Sequence, residues 1–449
     1  MSKVFGFNAG LTYKDIPNHT KRLVKSSLLD ILGIIAASTK NITNKNIRNF
    51  ASVYYSSAPK LSRILFDGCS VSPLGAAWAG GFAADSLDAH EGHFLSKGHA
   101  GATVVPGLLA LVDAYADQGR DITGEEFLTL LTIAYETSLR AGVALMASAS
   151  DYHASGAFSG IGLVAAGARL LQLEPVIQQH ALGIAEYFAP RCPMMRLVDY
   201  PTNLRDAHGA GAFAGINALF MAQSGITGAP AELLVSDKLS QAWQSLGQKW
   251  EIDNQYYKTW PVCRWAQPAL TAVEAMLELE VDIQPDNIET IKIETFHESM
   301  RLQGHSPKNA DEAQYALAFP VAAMICYGQL GPEQVSDESV NDQAILALSQ
   351  RINIVESQVL SERFPAEILS VVEITLKDSR VIRSPISQAK GDPALPMTKQ
   401  DIHHKFLKYT ADILTVDQQY ALIDEVESLE TQPNMVKLLS LVTMNPLVS

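Results

Sequence analysis

Residues 21–38 read KRLVKSSLLDILGIIAAS, and this stretch sets the pattern for most of the chain. Its apolar positions recur at intervals of three and four residues, which is the spacing of one face of an α-helix. These positions are Leu23, Val24, Leu28, Leu32 and Ile35. Residues 104–116, 123–147 and 161–173 repeat the pattern. The first part of the chain is therefore predicted to be helical throughout.

The pattern changes near residue 280. Residues 288–296, IETIKIETF, alternate apolar and polar side chains and are rich in β-branched residues, which predicts a half-buried strand. Residues 368–376 and 380–386, joined by a turn-like segment, are typical of a β-hairpin. Residues 311–327 and 342–352, which lie between these strands, have helical spacing.

Helical spacing returns after Pro396, over residues 400–409, 416–429 and 434–441. We therefore predict a mainly α protein, with a large all-helical domain built from both chain ends and an inserted smaller α+β lid domain. The helical domain is assigned to residues 1–275 and 400–449, and the lid domain to residues 276–399.

Composition narrows the possible functions. The 449 residues are 47% apolar, which is typical of a globular protein with a sizeable core. The net charge is −14, and such an acidic molecule repels phosphate backbones, so we expect no nucleic-acid partner. Four cysteines without a CxxC pair favour a reducing compartment. The first residues lack a signal-peptide core and the apolar runs are too short for a membrane span, so we expect a soluble cytoplasmic protein.

The strongest local feature is residues 85–101, DSLDAHEGHFLSKGHAG. It places six ionisable groups within twelve positions: Asp88, His90, Glu91, His93, Lys97 and His99. A solvated surface loop is one interpretation. The interleaved glycines and the small residues on either side favour a site instead, because they allow a backbone to approach a ligand closely.

Two kinds of chemistry fit this segment. The first is metal binding. The side chains of His90, His93, His99 and Asp88 are of types that bind metals, and two residues separate His90 from His93. The helical spacing of an HExxH zinc site is missing, however. Acid–base catalysis is the second, because histidine is the side chain most easily tuned near neutral pH.

Residues 257–267, YKTWPVCRWAQ, form a second candidate segment. They read either as an ordinary helix start with Pro261 in its first turn or as a functional site. Cys263 could be a thiolate nucleophile beside Lys258 and Arg264, or these two cations could recognise carboxylates.

The third segment, residues 199–214, places Arg205, Asp206 and His208 before a run of small residues. Anion binding at a helix N-terminus and a helix cap supplied by Asp206 are both compatible with it. There is no GxGxxG after a strand, no GxxxxGK[ST] and no GxSxG, so the sequence does not support nucleotide binding or an α/β-hydrolase.

In this order, the segments resemble the MmgE/PrpD family, which includes 2-methylcitrate dehydratase, cis-aconitate decarboxylase and iminodisuccinate epimerase. Five motifs spread over nearly the whole chain carry the resemblance. They are SLLDILGIIAAS, AADSLDAHEGHFLSKGHAGATVVPGLLAL, LRDAHGAGAFAGINALFMAQSGITGAP, YKTWPVCRWAQPAL and DEAQYALAFPVAAMI.

The resemblance implies a helical domain with a smaller α+β lid and a site between them that needs no metal or cofactor. It also implies small di- or tricarboxylates as substrates. The chemistry shared by the family is proton transfer at a carbon next to a carboxylate, completed as loss of water, loss of CO2 or inversion of the stereocentre.

Carried over by position, Asp88 takes the place of the family's active-site aspartate and His99 that of its key histidine. Lys258 matches the lysine before the aromatic-proline pair, Cys263 falls where members have histidine or cysteine, and Arg205 aligns with a residue that is usually lysine.

The chain also departs from the family pattern. Gln267 replaces a second histidine that dehydratases often have, His90 and Glu91 replace a pair of aspartates, and Phe319 replaces a tyrosine of the decarboxylases.

We expect His99 to act as a neutral base whose tautomer is fixed by Asp88, with Lys258 as a catalytic cation and Cys263 as a second acid. The expected substrate-binding residues are His93, Lys97, Arg205, Arg264 and Gln267. The leading prediction is dehydration of a citrate-like hydroxy acid. An epimerase, a decarboxylase and a catalytically silent carboxylate-binding protein are also compatible with the sequence. We expect no cofactor and a homodimer, the commonest assembly of soluble oligomers.

Overall fold

The structure is a computed structural model that describes residues 2–116 and 122–446. In these ranges the chain is mainly helical, as predicted. The helices are α1 (Ser2–Gly10), α2 (Asn18–Ala37), α3 (Ile42–Tyr54), α4 (Pro73–Asp85), α5 (Gly101–Ala116), α6 (Gly124–Ser148), α7 (Gly156–Leu170), α8 (Pro175–Phe188), α9 (Met194–Asp199), α10 (His208–Gln223), α11 (Glu232–Val235), α12 (Gln267–Leu279), α13 (Ala310–Gln314), α14 (Ala318–Tyr327), α15 (Gln343–Ser349), α16 (Gln358–Ser361), α17 (Lys399–Thr410), α18 (Val416–Glu427) and α19 (Val436–Val442).

Short strands accompany the helices. They are β1 (Ser62–Arg63), β2 (Ser70–Val71), β3 (Gly92–His93), β4 (Gln255–Tyr256), β5 (Ile288–Thr295), β6 (Ile352–Glu356), β7 (Leu369–Leu376), β8 (Val381–Arg383) and β9 (Ser387–Gln388). The largest sheet has the order β6-β5-β7-β8, with β9 also paired to β7. In this sheet β5 and β6 are parallel, whereas β7 is antiparallel to its partners β5, β8 and β9.

Two sequence predictions in this region were wrong in detail. The helix predicted over residues 311–327 is broken into α13 and α14 by the residues around Ala316. The helix predicted over residues 342–352 ends at Ser349, after which the chain enters strand β6. Pairing of β6 with the distant β5 satisfies its backbone groups, and that pairing is not visible in local periodicity.

Buried apolar side chains form two large clusters. The first draws on residues 4–257 and 402–442, and so combines helices from both ends of the chain. The second surrounds the sheet and draws mainly on residues 260–376. Helix α12 contributes Val273 and Met276 to this second cluster and runs across the predicted boundary at residue 276. The domain boundaries themselves stay a prediction.

Helices α4 and α10 approach each other closely because both are rich in glycine and alanine. A Cβ atom added at Gly81 would lie 2.8 Å from the Cα of Gly209, and one added at Gly209 would lie 2.0 Å from the ring of Phe82. This contact brings the end of α4 next to the start of α10. It thereby places Asp85 beside His208.

None of the helices in the two described ranges combines the length and the apolar character that a membrane-spanning segment requires.

Candidate active site

The three segments singled out in the sequence meet in the buried interior of the protein. The segment after α4 contributes Asp88 and His99, the segment before α10 contributes Arg205, and the segment before α12 contributes Lys258 and Cys263. Each of these five side chains belongs to a residue that is less than 9% exposed. Together they form a compact cluster of ionisable groups.

Asp88 and Lys258 form the ion pair at the centre of the cluster. The Lys258 ammonium donates to Oδ1 of Asp88 and, at 3.3 Å, to the backbone carbonyl of Asp88. Burial acts to raise the pKa of Asp88, but the charge and hydrogen bond of Lys258, together with the neighbouring His90 and His99, outweigh burial and lower that pKa below its usual value. The aspartate is therefore a carboxylate, and it compensates the buried ammonium.

His99 is held with a defined tautomer. Its Nδ1 lies 2.5 Å from the backbone carbonyl oxygen of Glu91, and its peptide N–H donates to Oγ of Ser155 at 2.9 Å. A carbonyl oxygen can only accept, so Nδ1 carries the hydrogen and Nε2 keeps its lone pair. Burial first, and then the charges of His90 and Lys258, hold the pKa of His99 well below 6.5. The ring is a neutral imidazole with its basic nitrogen available.

This geometry corrects the expected role of Asp88. We expected its carboxylate to fix the tautomer of His99, but the carbonyl of Glu91 does so, while Asp88 contacts Lys258. The Nε2 atom of His99 instead lies 3.8 Å from Oδ2 of Asp206.

His90 is a central residue that the sequence analysis left out of its site assignment. Its ring centroid lies 4.2 Å from that of His99 and 5.2 Å from that of His208. Its Nε2 lies 3.5 Å from Oδ1 of Asp85 and 3.9 Å from Oδ1 of Asp88. Burial, with Lys258 as the next cause, holds the pKa of His90 well below its ordinary value, so this ring is neutral too.

Asp85 and Asp206 organise the start of α10. Oδ2 of Asp85 accepts the backbone N–H groups of Asp206 and His208 at 3.1 and 3.3 Å. The predicted cap of α10 by Asp206 is wrong, because that carboxylate accepts the backbone N–H of Ser155 at 2.9 Å, next to the start of α7. These N–H groups already donate to Asp85, so the structure gives no support to the interpretation that the start of α10 binds an anion from solution.

The carboxylates around His208 also set its charge. Burial would lower the pKa of His208, but Asp85 and Asp206 outweigh burial and raise it. Burial raises the pKa of Asp85 to about 6. His208 is thus the histidine of this cluster most inclined to carry a proton, in contrast to His90 and His99.

Arg205 lies next to this cluster but its charge is already neutralised. Its Nε donates to Oδ1 of Asp311 at 2.8 Å, and its Nη2 lies 2.6 Å from the same oxygen. Its Nη1 donates to Oε1 of Gln314 at 2.8 Å. Arg205 is therefore a buried guanidinium that is already paired with Asp311, and its expected contact with a substrate carboxylate stays a prediction.

Cys263 is a buried thiol and not a thiolate. Burial, followed by the charge of Asp88, raises the pKa of Cys263 to about 12. This contradicts the nucleophile interpretation, which needs a lowered pKa. A neutral S–H beside the Asp88–Lys258 pair remains compatible with a proton donor.

Arg264 lies at the edge of the cluster. Its guanidinium stacks 3.7 Å from the ring centroid of Tyr256, and its Nη2 donates to Oδ1 of Asp392 at 2.9 Å. Its Nε is buried and has no hydrogen-bond partner among the described residues. Of the predicted substrate-binding cations, this one has a buried donor still unused.

Three further residues that were predicted to bind substrate make contacts outside the Asp88–Lys258 ion pair. His93 pairs with Glu251, its Nε2 lying 3.3 Å from the carboxylate. The amide of Gln267 donates to the backbone carbonyls of Trp260 and Val262 at 2.9 and 3.0 Å, so it braces the start of α12. Lys97 is exposed, and its backbone has a positive φ of 49°.

Tyr315 is a second residue that sequence reasoning missed. It is buried, and the Arg205 guanidinium lies 5.9 Å from the centre of its ring. Burial and the nearby Asp88 raise its pKa well above 10, so the phenol keeps its proton. It stands four residues before Phe319, the position at which the sequence lacks a tyrosine, but the break between α13 and α14 separates the two residues, so helical spacing gave no signal for it.

Two trios of side chains have the atom types and proximity of metal ligands. They are Asp85 with His90 and His208, and Asp88 with His90 and His99, each with its ligand atoms within 4.8 Å of one another. In the second trio the Lys258 ammonium already contacts Asp88, and a second cation there would be repelled by it. These trios are the places in the described chain where a metal could be held.

The fold and the site together define a mainly α protein with a buried acid–base cluster assembled from distant parts of the chain. Residues 4–253 match the MmgE/PrpD N-terminal domain and residues 260–431 match the MmgE/PrpD C-terminal domain. The chain belongs to the MmgE/PrpD family.

Curated relatives of the chain include named decarboxylases and a dehydratase. A cis-aconitate decarboxylase-like protein of Aspergillus oryzae is 22% identical over 407 residues, 83% of this chain and 82% of the relative. A cis-aconitate decarboxylase of Aspergillus terreus is 20% identical over 98% of this chain and 95% of its own length. A mitochondrial 2-methylcitrate dehydratase of Yarrowia lipolytica is 31% identical over 126 residues, 25% of this chain and 24% of the relative.

Proposed function

We propose that this protein is a lyase that removes a proton next to a carboxylate of a small di- or tricarboxylate, without a metal, and most directly dehydrates a citrate-like hydroxy acid. The observation that carries the proposal is the state of His99. Its Nδ1 faces the Glu91 carbonyl at 2.5 Å, and its pKa is lowered, so Nε2 is an unprotonated base inside a closed site.

Lys258 supplies the charge that the reaction needs. Removing the proton leaves negative charge on the substrate carboxylate as an enolate, and a fixed ammonium stabilises that charge. Two N–H groups of Lys258 point at Asp88, which leaves one for the substrate. Because this ammonium occupies the cation position beside Asp88, the step is proposed to need no metal.

Elimination also requires an acid for the leaving hydroxyl. The electron pair of the broken C–H bond forms the double bond, the C–O bond breaks, and the hydroxyl leaves as water after taking a proton. Cys263, with its pKa raised to about 12, keeps a proton at neutral pH for this purpose. The proton that His99 has gained then returns to the sulfur, directly or through solvent.

Substrate binding changes the balance of charge in the site. Arg205 and Arg264 are paired with Asp311 and Asp392, so a substrate carboxylate competes with these side chains. A bound anion beside His99 raises the pKa of the ring by opposing the charge of Lys258, which makes the imidazole a stronger base. The unused Nε of Arg264 is the proposed first contact for a substrate carboxylate.

Decarboxylation is the second candidate, because relatives aligned over most of the chain are named cis-aconitate decarboxylases. Phe319 lacks the hydroxyl that the decarboxylase pattern has at that position, whereas the buried Tyr315 lies four residues earlier in the chain. Epimerisation and silent carboxylate binding complete the set of candidate functions. A cytoplasmic location, a homodimer and independence of cofactors stay predictions.

Proton NMR in D2O tests these possibilities directly. Citrate, 2-methylcitrate, cis-aconitate and iminodisuccinate are each incubated with the protein. New vinyl protons from citrate, or a methyl signal on a carbon–carbon double bond from 2-methylcitrate, support dehydration, whereas formation of itaconate from cis-aconitate would support decarboxylation instead. Deuterium uptake without net product would indicate epimerisation. Binding of an acid with neither product nor uptake would leave a carboxylate-binding protein and overturn the enzymatic proposal.

A further inference from the structure

One buried residue, Gln314, connects all three segments of the candidate site. Its Oε1 accepts the backbone N–H of Asp88 at 2.8 Å and Nη1 of Arg205 at 2.8 Å. Its backbone carbonyl accepts the N–H of Cys263, also at 2.8 Å. Gln314 is fully buried, and it is 226 residues from Asp88 in sequence.

Two of these three contacts depend on the side-chain amide, because the contact with Cys263 runs between two backbones. The Nε2 atom of the same amide points to the backbone carbonyl of Ser86 at 3.4 Å. Helix α13 is therefore connected to the Asp88 segment by one side chain, whose amide both accepts and donates a hydrogen bond.

The chemistry of an amide is needed at this position. The Asp88 N–H and the Arg205 guanidinium are buried donors, and without Oε1 they would lose an acceptor that water cannot replace in a closed interior. A carboxylate would keep the acceptor, but it would add a negative charge between Asp88 and Asp311 and lose the donor to Ser86.

The backbone of residues 205–207 also depends on contacts made by helix α13. Arg205 has a φ of 39° and Ala207 a φ of 60°, both in the left-handed region that residues with a Cβ rarely adopt. Asp311 and Gln314, three residues apart on α13, hold the Arg205 side chain and so help to keep this segment in place.

We propose that Gln314 is a positioning residue, which fixes Asp88 and Arg205 through Oε1 and thereby sets the place of the Lys258 ammonium relative to His99. The inference rests on the proposed function, because the proposed function gives Lys258 and His99 their roles in the reaction. Gln314 itself is not proposed to contact the substrate.

Three variants test the role of Oε1. Gln314→Leu has nearly the same size without an acceptor, Gln314→Glu keeps the acceptor, and Glu312→Gln on the same helix is the matched control. We expect Gln314→Leu to lower kcat by about 10- to 100-fold, because small displacements of catalytic groups are costly. Gln314→Glu should recover part of this loss, and Glu312→Gln should stay within about twofold of the unaltered protein.

Hydrogen exchange supplies a readout that does not depend on turnover. The peptide containing the Asp88 amide should exchange faster in Gln314→Leu, and at the original rate in Glu312→Gln. Exchange at the original rate in folded Gln314→Leu would overturn the inference. If Gln314→Leu does not fold, Gln314→Met, which is unbranched like glutamine and also lacks the acceptor, decides: faster exchange at Asp88 supports the acceptor role, and exchange at the original rate contradicts it. A protein that turns over none of the acids but shows the expected exchange would remove the proposed function while keeping the contact.

Discussion

Cys263 is a side chain whose chemistry depends on its surroundings. Burial raises its pKa to about 12, so it should remain a thiol throughout the neutral range. We predict that iodoacetamide at mildly alkaline pH labels the exposed Cys69 well before Cys263, because only thiolates react and only accessible ones are reached. Peptide mapping by mass spectrometry measures both sites in one sample. Labelling of Cys263 as fast as Cys69 would restore the thiolate interpretation.

Glu91, whose carbonyl faces His99, makes the stability of the protein depend on pH. Burial first, and then the charge of Asp30, raises the pKa of the Glu91 carboxyl from 4.5 to about 8. Between these values the folded chain holds a proton that the unfolded chain has released. The contribution of Glu91 to the free energy of unfolding therefore falls as pH rises from 4.5 to 8, by up to about 1.4 kcal/mol for each pH unit.

Replacing Glu91 tests this sign. Glu91→Gln is uncharged at every pH, so the variant should gain stability relative to the original protein as pH approaches 8. Urea unfolding at several pH values between 4.5 and 8 measures the difference. Parallel stability curves for the two proteins would show that the Glu91 carboxyl is not protonated in the folded state.

The ionisable residues of the cluster were predictable, but their partners were not. Asp88, His99, Lys258 and Cys263 stand in segments that the sequence picks out by composition and by family motif. The pairing of Arg205 with Asp311, 106 residues away, depends on how helix α13 packs. No local pattern reports such a contact, so the sequence suggested a free cation where the fold supplies an ion pair.

At the scale of elements, the start of α10 contains a strained residue. Ala207 precedes the helix with φ 60° and ψ 26°, a conformation that glycine adopts at lower cost. We predict that Ala207→Gly raises the free energy of unfolding by about 0.5–1 kcal/mol. Ala214→Gly, within the same helix, should lower it by about 1 kcal/mol or more. Urea unfolding compares them, and equal losses in both variants would contradict the assignment of strain to Ala207.

Helices were predicted from the sequence more completely than strands. The apolar spacing in residues 21–38 predicts helix α2, and the structure has it at Asn18–Ala37. That periodicity depends only on residues three or four positions apart. Strand β6 was not predicted, and the helix predicted over residues 342–352 reached its first residue, because the strand depends on pairing with β5, some sixty residues earlier in the chain. The left-handed conformation of Ala207 was also missed because it depends on a contact distant in sequence. Asp85, at the end of α4, accepts a hydrogen bond from the N–H of the preceding residue, Asp206.

At the scale of the whole molecule, a net charge of −14 surrounds a site that we propose binds anions. The cations expected at the site, Lys258, Arg205 and Arg264, are each paired with a carboxylate of the protein. Such pairing makes burial of the cations tolerable in the absence of substrate. It also means that substrate carboxylates have to compete with carboxylates of the protein.

The central claim is that the neutral imidazole of His99 removes a proton next to a substrate carboxylate. Its most direct test is the rate of deuterium uptake at that carbon in D2O, followed by NMR for the unaltered protein and for His99→Asn. The asparagine amide can still donate to the Glu91 carbonyl but provides no base. His403→Asn, in α17 and paired with Glu427, is the matched control. We predict that His99→Asn slows uptake by about 10²–10⁴-fold while the control keeps the original rate. Uptake by His99→Asn at the original rate would contradict the claim.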